Sequence, residues 1–147
     1  MLQDFKKGIF LEKPNVLIPW NIKPYKLNKL LGQHNLKKVT SSYYCIKTTF
    51  LNGLDCTIGF HFYFFGIKFF EIFRSEDYYK NHTLLDSYNE FQKHIELAFG
   101  KPSLTRKSTN PDFDVGFDSH TWKVGKRKVL HYVFERFGPE EHFHIER

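Results

Sequence analysis

Ile95-Glu96-Leu97-Ala98-Phe99-Gly100 closes a helical pattern, and Leu27-Asn28-Lys29-Leu30-Leu31-Gly32 closes an earlier one. Each is followed by aromatic and β-branched residues in a run long enough for about three strands. Superposing Gly32 on Gly100 aligns Leu27 with Ile95, Leu30 with Ala98 and Leu31 with Phe99, and leaves tails of similar length, 33–74 and 102–147. The pattern predicts one α+β domain over residues 1–147: an antiparallel β-sheet of about six strands with two helices on one face. It also suggests a tandem helix-plus-β-meander duplication, with pseudo-repeats 20–74 and 83–147.

Working outward, Pro24 suits the first turn of a helix that runs to about Leu31, with Gly32 as its stop. Thr83 is the expected N-cap of the clearer helix, whose stripe is Leu84, Tyr88, Phe91, Ile95 and Ala98/Phe99. Gly100 and Pro102 end it. Strands are expected near 38–50, 54–65, 67–74, 117–124, 128–137 and 141–146. One of the runs Ile9-Phe10-Leu11 and Val16-Leu17-Ile18 is a lead-in strand, and 103–116 reads as a loop because Ser103, Ser108, Asn110-Pro111 and Gly116 all break structure.

A 147-residue chain with 17 Phe and 8 Tyr buries its core largely with rings,. It holds more rings than one domain can fully cover, so some are expected at the surface, where clusters of them mark binding sites. Lys and Arg number 22 against 16 Asp and Glu, a net charge of +6. That balance favours polyanions or an acidic protein partner. Met1 to Gly8 lacks the apolar core of a signal peptide, and the apolar stretch from Ile58 to Phe73 is interrupted by Gly59, His61, Gly66, Lys68 and Glu71. A cytoplasmic protein without a membrane segment is expected.

Cys45 and Cys56 flank a hairpin at Leu51-Asn52-Gly53. A three-residue loop there pairs Phe50 with Leu54, Ile46 with Ile58 and Tyr44 with Phe60. It keeps apolar residues together and sends the two thiols to opposite faces. The alternative two-residue loop leaves them about 13 Å apart along the ladder, beyond disulfide reach. Free thiols fit a reducing compartment.

No nucleophile elbow, Walker loop, dinucleotide fingerprint or SxxK is present, so no catalytic residue is assigned and a non-enzymatic protein is expected. His142 and His144 share one strand face and would chelate zinc only if a third ligand arrived from elsewhere. The simpler expectation is a C-terminal edge strand with Phe143 and Ile145 inward, and no metal or cofactor. Around Gly125, a two-residue loop would set His120 opposite His131. A three-residue loop gathers Trp122, Val124, Leu130, Tyr132 and Phe134 on one face and is preferred. Lys37-Lys38, Arg106-Lys107 and Lys126-Arg127-Lys128 are basic clusters suited to RNA or DNA. Against this, the RNP1 arrangement is missing, and Asp112, Asp114, Asp118, Glu140 and Glu141 would repel phosphates. For protein recognition the candidates are Glu76, Asp77, Tyr78 and Tyr79 in the loop before the second helix, and the odd-numbered sheet face with His61, Tyr63 and Phe65.

Ile18-Pro19-Trp20, Phe99-Gly100-Lys101-Pro102, Trp122 and Phe134-Glu135-Arg136-Phe137-Gly138 together resemble the layout of small bacterial immunity proteins. These are cytoplasmic α+β proteins of contact-dependent inhibition and other polymorphic toxin systems. The resemblance is one of arrangement and carries over no functional residue. It implies a cognate protein toxin as partner. Immunity proteins against nucleases are often acidic, so a charge of +6 implies another toxin class or a local acidic patch such as Glu76-Asp77. The alternative is a basic RNA- or DNA-binding module using Lys126-Arg127-Lys128.

Overall fold

The structure, a computed structural model, describes residues 2–109 and 116–147. A short helix α1 (Leu2–Phe5) leads into a two-stranded hairpin, β1 (Gly8–Leu11) and β2 (Val16–Pro19). Both apolar runs flanking Pro14 are therefore strands, with Ile9 opposite Ile18. Helix α2 (Pro24–Leu31) precedes β3 (Lys37–Thr40), β4 (Tyr43–Phe50), β5 (Leu54–Tyr63) and β6 (Gly66–Phe73). A 3₁₀ turn (Glu76–Lys80) and helix α3 (Leu84–Phe99) then precede β7 (Leu104–Arg106), β8 (Ser119–Val124), β9 (Arg127–Glu135) and β10 (Pro139–Glu146).

The chain is α+β, but its main sheet has eight strands, in the order β3-β4-β5-β6-β10-β9-β8-β7, and the hairpin adds a separate two-stranded sheet. About six strands were expected because the two edge strands are short and exposed throughout, which leaves no alternation to read. The predicted 38–50 strand folds back at Ser41-Ser42, where the Ser42 N–H donates to Thr40 Oγ1. Leu104–Arg106, inside the expected loop, pairs with β8. Within that stretch, Asn110-Pro111, Asp112 and Asp114 lie outside the described residues.

Local chemistry accounts for the helix ends. Thr83 Oγ1 accepts from the Asp86 N–H and the Asp86 carboxylate accepts from the Thr83 N–H, a capping box that satisfies two orphan donors,. Pro24 occupies the first turn of α2 as expected. Gly32 does not stop that helix: its φ is −58°, and the chain tightens into one 3₁₀ turn until Asn35 takes the left-handed conformation at φ 64°.

The β4–β5 register is the expected one, Phe50 opposite Leu54 and Tyr44 opposite Phe60. Its loop residues Leu51, Asn52 and Gly53 all have positive φ, and the Glu12 carboxylate accepts from the Asn52 and Gly53 N–H groups at 2.9 and 2.8 Å. Cys45 and Cys56 are unbridged. Around Gly125 the expectation fails. The loop has two residues, Gly125 taking φ 62°, so Val124 faces Arg127, Trp122 faces Val129 and His120 faces His131. Leu130, Tyr132 and Phe134 share the face opposite Trp122. Both faces of β9 carry apolar side chains, so hydrophobic grouping alone does not choose between registers. Burial of the Trp122 ring, its Nε1–H donating to Gly100 O at 2.9 Å, holds the observed one.

One core joins Leu27 and Leu31 of α2, Phe91 and Ile95 of α3, and the inward residues of the large sheet, among them Ile46, Ile58, Phe60, Phe70, Ile72, Trp122, Val129, Phe143 and Ile145. The β1–β2 hairpin joins the same core through Ile9, Leu11 and Ile18. Among the described residues, no helix is long and apolar enough to cross a membrane.

Candidate functional site on the open sheet face

Strand alternation sends a second set of side chains to the face opposite the core. Pairing of β4, β5, β6, β10 and β9 brings Tyr43, His61, Phe69, Glu71, His142, His144 and Tyr132 together there. β10 lies between β6 and β9. It is a central strand rather than the expected edge, and its two outward histidines sit in the middle of this face.

The rings are stacked rather than scattered. His61 lies between Tyr43 (centroids 4.3 Å apart) and Phe69 (4.1 Å). His142 stacks on Phe134 (4.6 Å) and Tyr132 (5.1 Å). The Glu71 carboxylate sits at the cluster's centre: its Oε2 is 3.0 Å from His61 Nε2 and accepts from the Tyr43 hydroxyl at 3.4 Å. Gly59 makes room for this. A Cβ there would stand 2.7 Å from Tyr43 Cε2 and 3.3 Å from Glu71 Oε2. The hydrogen bond from His61 holds the Glu71 carboxyl below its usual range, against the opposing effect of burial. Burial, then the nearby Glu71 charge, pushes Tyr43 up to about 12. Burial draws His144 down to about 4.

At one end of this face the β5–β6 turn presents Tyr63, Phe64 and Phe65, exposed by 43%, 92% and 69%. The turn is held from both sides. Lys23 Nζ donates to Phe64 O at 2.8 Å, and Arg147 donates to Phe65 O at 2.8 Å and to the Tyr63 hydroxyl at 3.2 Å. Arg127 lies over the Trp20 ring nearby (4.3 Å), and burial and the charge of Arg147 pull its guanidinium below its usual value. The result is an aromatic tip ringed by three cations.

The residues singled out from sequence do not form one surface. His61 lies in the stacked cluster and Tyr63 at the tip, whereas Glu76, Asp77, Tyr78 and Tyr79 follow the other end of β6, roughly 24 Å away by strand rise,. Asp77 pairs with Lys80 at 2.8 Å. Tyr78 is packed beneath the Arg74 guanidinium (4.1 Å) and against His82 (4.3 Å), so its ring has a structural task already. The basic clusters are dispersed too. Lys37-Lys38 and Arg106 occupy opposite edge strands, seven strand spacings or roughly 34 Å apart, and Lys107 pairs with Asp118,. Glu141, counted as a surface acid, is buried against His131.

Sequence reasoning named Phe65 but missed Glu71, Tyr43, Phe64 and Arg147. The run Tyr63-Phe64-Phe65-Gly66 carried a usable signal, since consecutive rings before a turn glycine break the rule that hairpin tips are polar. Glu71 gave none, because only the non-local β6–β10 pairing places it opposite His144. Compared with known protein families, curated proteins and solved structures, the chain matches none of them.

Proposed function

We propose that this chain is a non-enzymatic protein-binding module that acts by occluding its partner, in the manner of an immunity protein against a cognate toxin. The observation that carries this reading is the β5–β6 tip. Phe64 is almost fully hydrated and Phe65 largely so, which is unfavourable for the isolated chain, yet their backbone is clamped by Lys23 and Arg147 rather than left loose. Rigid exposed rings beside guanidinium groups are the composition of an interface hot spot. The surrounding Lys23, Arg127 and Arg147 favour an acidic surface on the partner. The strand order also reads alike from either edge, a helix and four strands running inward to β6 and to β10, which supports the duplication inferred from Gly32 and Gly100.

The test is affinity capture from the native cells with wild-type chain and an F64S/F65S variant as baits, followed by expression of the captured protein alone and with this chain. A stoichiometric partner that survives high salt, is lost by the variant, and arrests growth unless this chain is co-expressed supports the proposal. A partner held equally by both baits removes the tip as the interface. Nucleic acid recovered at low salt and lost at high salt would favour the basic-module alternative.

A further inference from the structure

Glu71 on β6 is the cross-strand partner of His144 on β10, and His142 lies two residues along β10 on the same face. One ring nitrogen from each histidine and one Glu71 carboxylate oxygen lie within 4.8 Å of one another, among the described residues. The Nε2 atoms of His142 and His144 are both shut off from solvent and make no hydrogen bond. The Glu140 carboxylate comes within 3.4 Å of His142 Nε2 but outside hydrogen-bonding geometry. Buried imidazole nitrogens without partners are uncommon in folded proteins and call for an explanation.

We propose that Glu71, His142 and His144 bind a divalent transition-metal ion of the zinc class. Two imidazoles and one carboxylate are a donor set that suits zinc, and three protein ligands leave a coordination position for water or for a side chain of a partner. Ligand atoms at zinc distances of about 2.0–2.2 Å lie about 3.3 Å apart in a tetrahedron. His61 and Tyr43 both contact Glu71 at Oε2 and so orient the carboxylate from outside the coordination shell,. All five residues stand on adjacent strands, which is the rigid support that a preorganised site requires. Two imidazole nitrogens among three ligands select against calcium and magnesium, which take mostly oxygen ligands. This inference is independent of the binding proposal.

Titrating the intact chain with zinc chloride by calorimetry, and with cobalt chloride while following visible absorption, tests it. One equivalent should bind, with the d–d absorption of low-coordinate cobalt. H142A and H144A should each weaken binding by at least about 100-fold. H61A, which removes the orienting contact together with a stacked ring but no ligand, should weaken it about 10–100-fold. E71Q keeps the side-chain volume and should behave like the histidine variants if circular dichroism shows the fold intact. H34A, on the exposed turn after α2, should bind as wild type. Failure to bind one equivalent, or unchanged affinity in an H142A/H144A double variant, overturns the proposal. So does displacement of zinc by an equal concentration of magnesium.

Discussion

His131 Nε2 stands 2.6 Å from Glu141 Oε2 beneath helix α3, and the two side chains are 0% and 3% exposed. The other ring nitrogen, Nδ1, is 2.7 Å from Gln92 Oε1, and the Gln92 amide is oriented by its own donation to Glu96 at 3.0 Å. Both nitrogens of His131 therefore face side-chain oxygens, which fixes the orientation of the ring. Glu141 Oε1 accepts from the Ser87 hydroxyl at 2.6 Å, and Ser87 accepts in turn from Arg74 Nε. The chain of contacts ties β6, α3, β10 and β9 together across the centre of the core.

Removing one end of the pair should be far worse than removing both. E141A leaves His131 facing a void without its acceptor, and unfolding in urea should show a loss of about 3–5 kcal/mol. The H131L/E141L double variant fills the space with apolar groups and should recover most of that loss. A double variant no more stable than E141A would mean that Ser87 and Arg74, rather than the His131–Glu141 contact, carry the effect.

Much of the fold was legible because its signals are local. The stripe from Leu84 to Phe99, Thr83 before it and Gly100 after it belong to one helix and its caps, and the Cys45–Cys56 hairpin encodes its register in side chains four to sixteen residues apart. What was illegible depends on distant pairing. His142 and His144 looked like an edge strand's polar face until β6 arrived beside them with Glu71. At Gly125 the choice of register turned on which of two apolar faces meets the helices, and nothing within β8 or β9 states that. Short exposed edges such as Lys37–Thr40 carry no alternation at all.

The two thiols should react at very different rates. Cys56 is buried on the core side and burial pushes its thiol up to about 12, so little thiolate forms near neutral pH,. Cys45 is partly exposed on the open face. Iodoacetamide at pH 8 should label Cys45 first and Cys56 only when denaturant is added, as counted by intact-mass spectrometry. Equal labelling of both sites in the native protein would contradict the β4–β5 register.

Gly59→Ala should act through Tyr43. The added methyl meets the Tyr43 ring, so the ring must leave its stack on His61 and its bond to Glu71; a cost of about 1–3 kcal/mol is expected,. The same contacts give a pH dependence of known sign. Folded Tyr43 holds its proton to about 12 against an ordinary value of 10. Between these values the unfolded chain loses the proton first, so the stabilisation is complete below pH 10 and is lost as the pH rises towards 12. Cys56 acts in the same direction from about pH 9. Y43F should flatten, without abolishing, the decline in Tm between pH 10 and 12. An unchanged slope would show that Tyr43 is as free to ionise when folded as when unfolded.

Phe64 and Phe65 separate folding from recognition. Their rings are 92% and 69% exposed, and the contacts that shape the turn run through backbone carbonyls to Lys23 and Arg147. Replacing both rings by serine removes little buried area, so stability should stay within about 0.5 kcal/mol of wild type. If the rings are the anchor of an interface, each should contribute about 2 kcal/mol or more to binding, a loss of roughly 30-fold per ring. Arg147→Ala is the complementary probe, since it frees the Phe65 carbonyl and the Tyr63 hydroxyl and should weaken binding by loosening the tip while leaving the rings in place. Calorimetry of F64S/F65S and R147A against the captured partner, with melting curves alongside, reads both quantities. An F64S/F65S chain that binds as well as wild type would move the interface to Glu76–Tyr79 at the far end of β6.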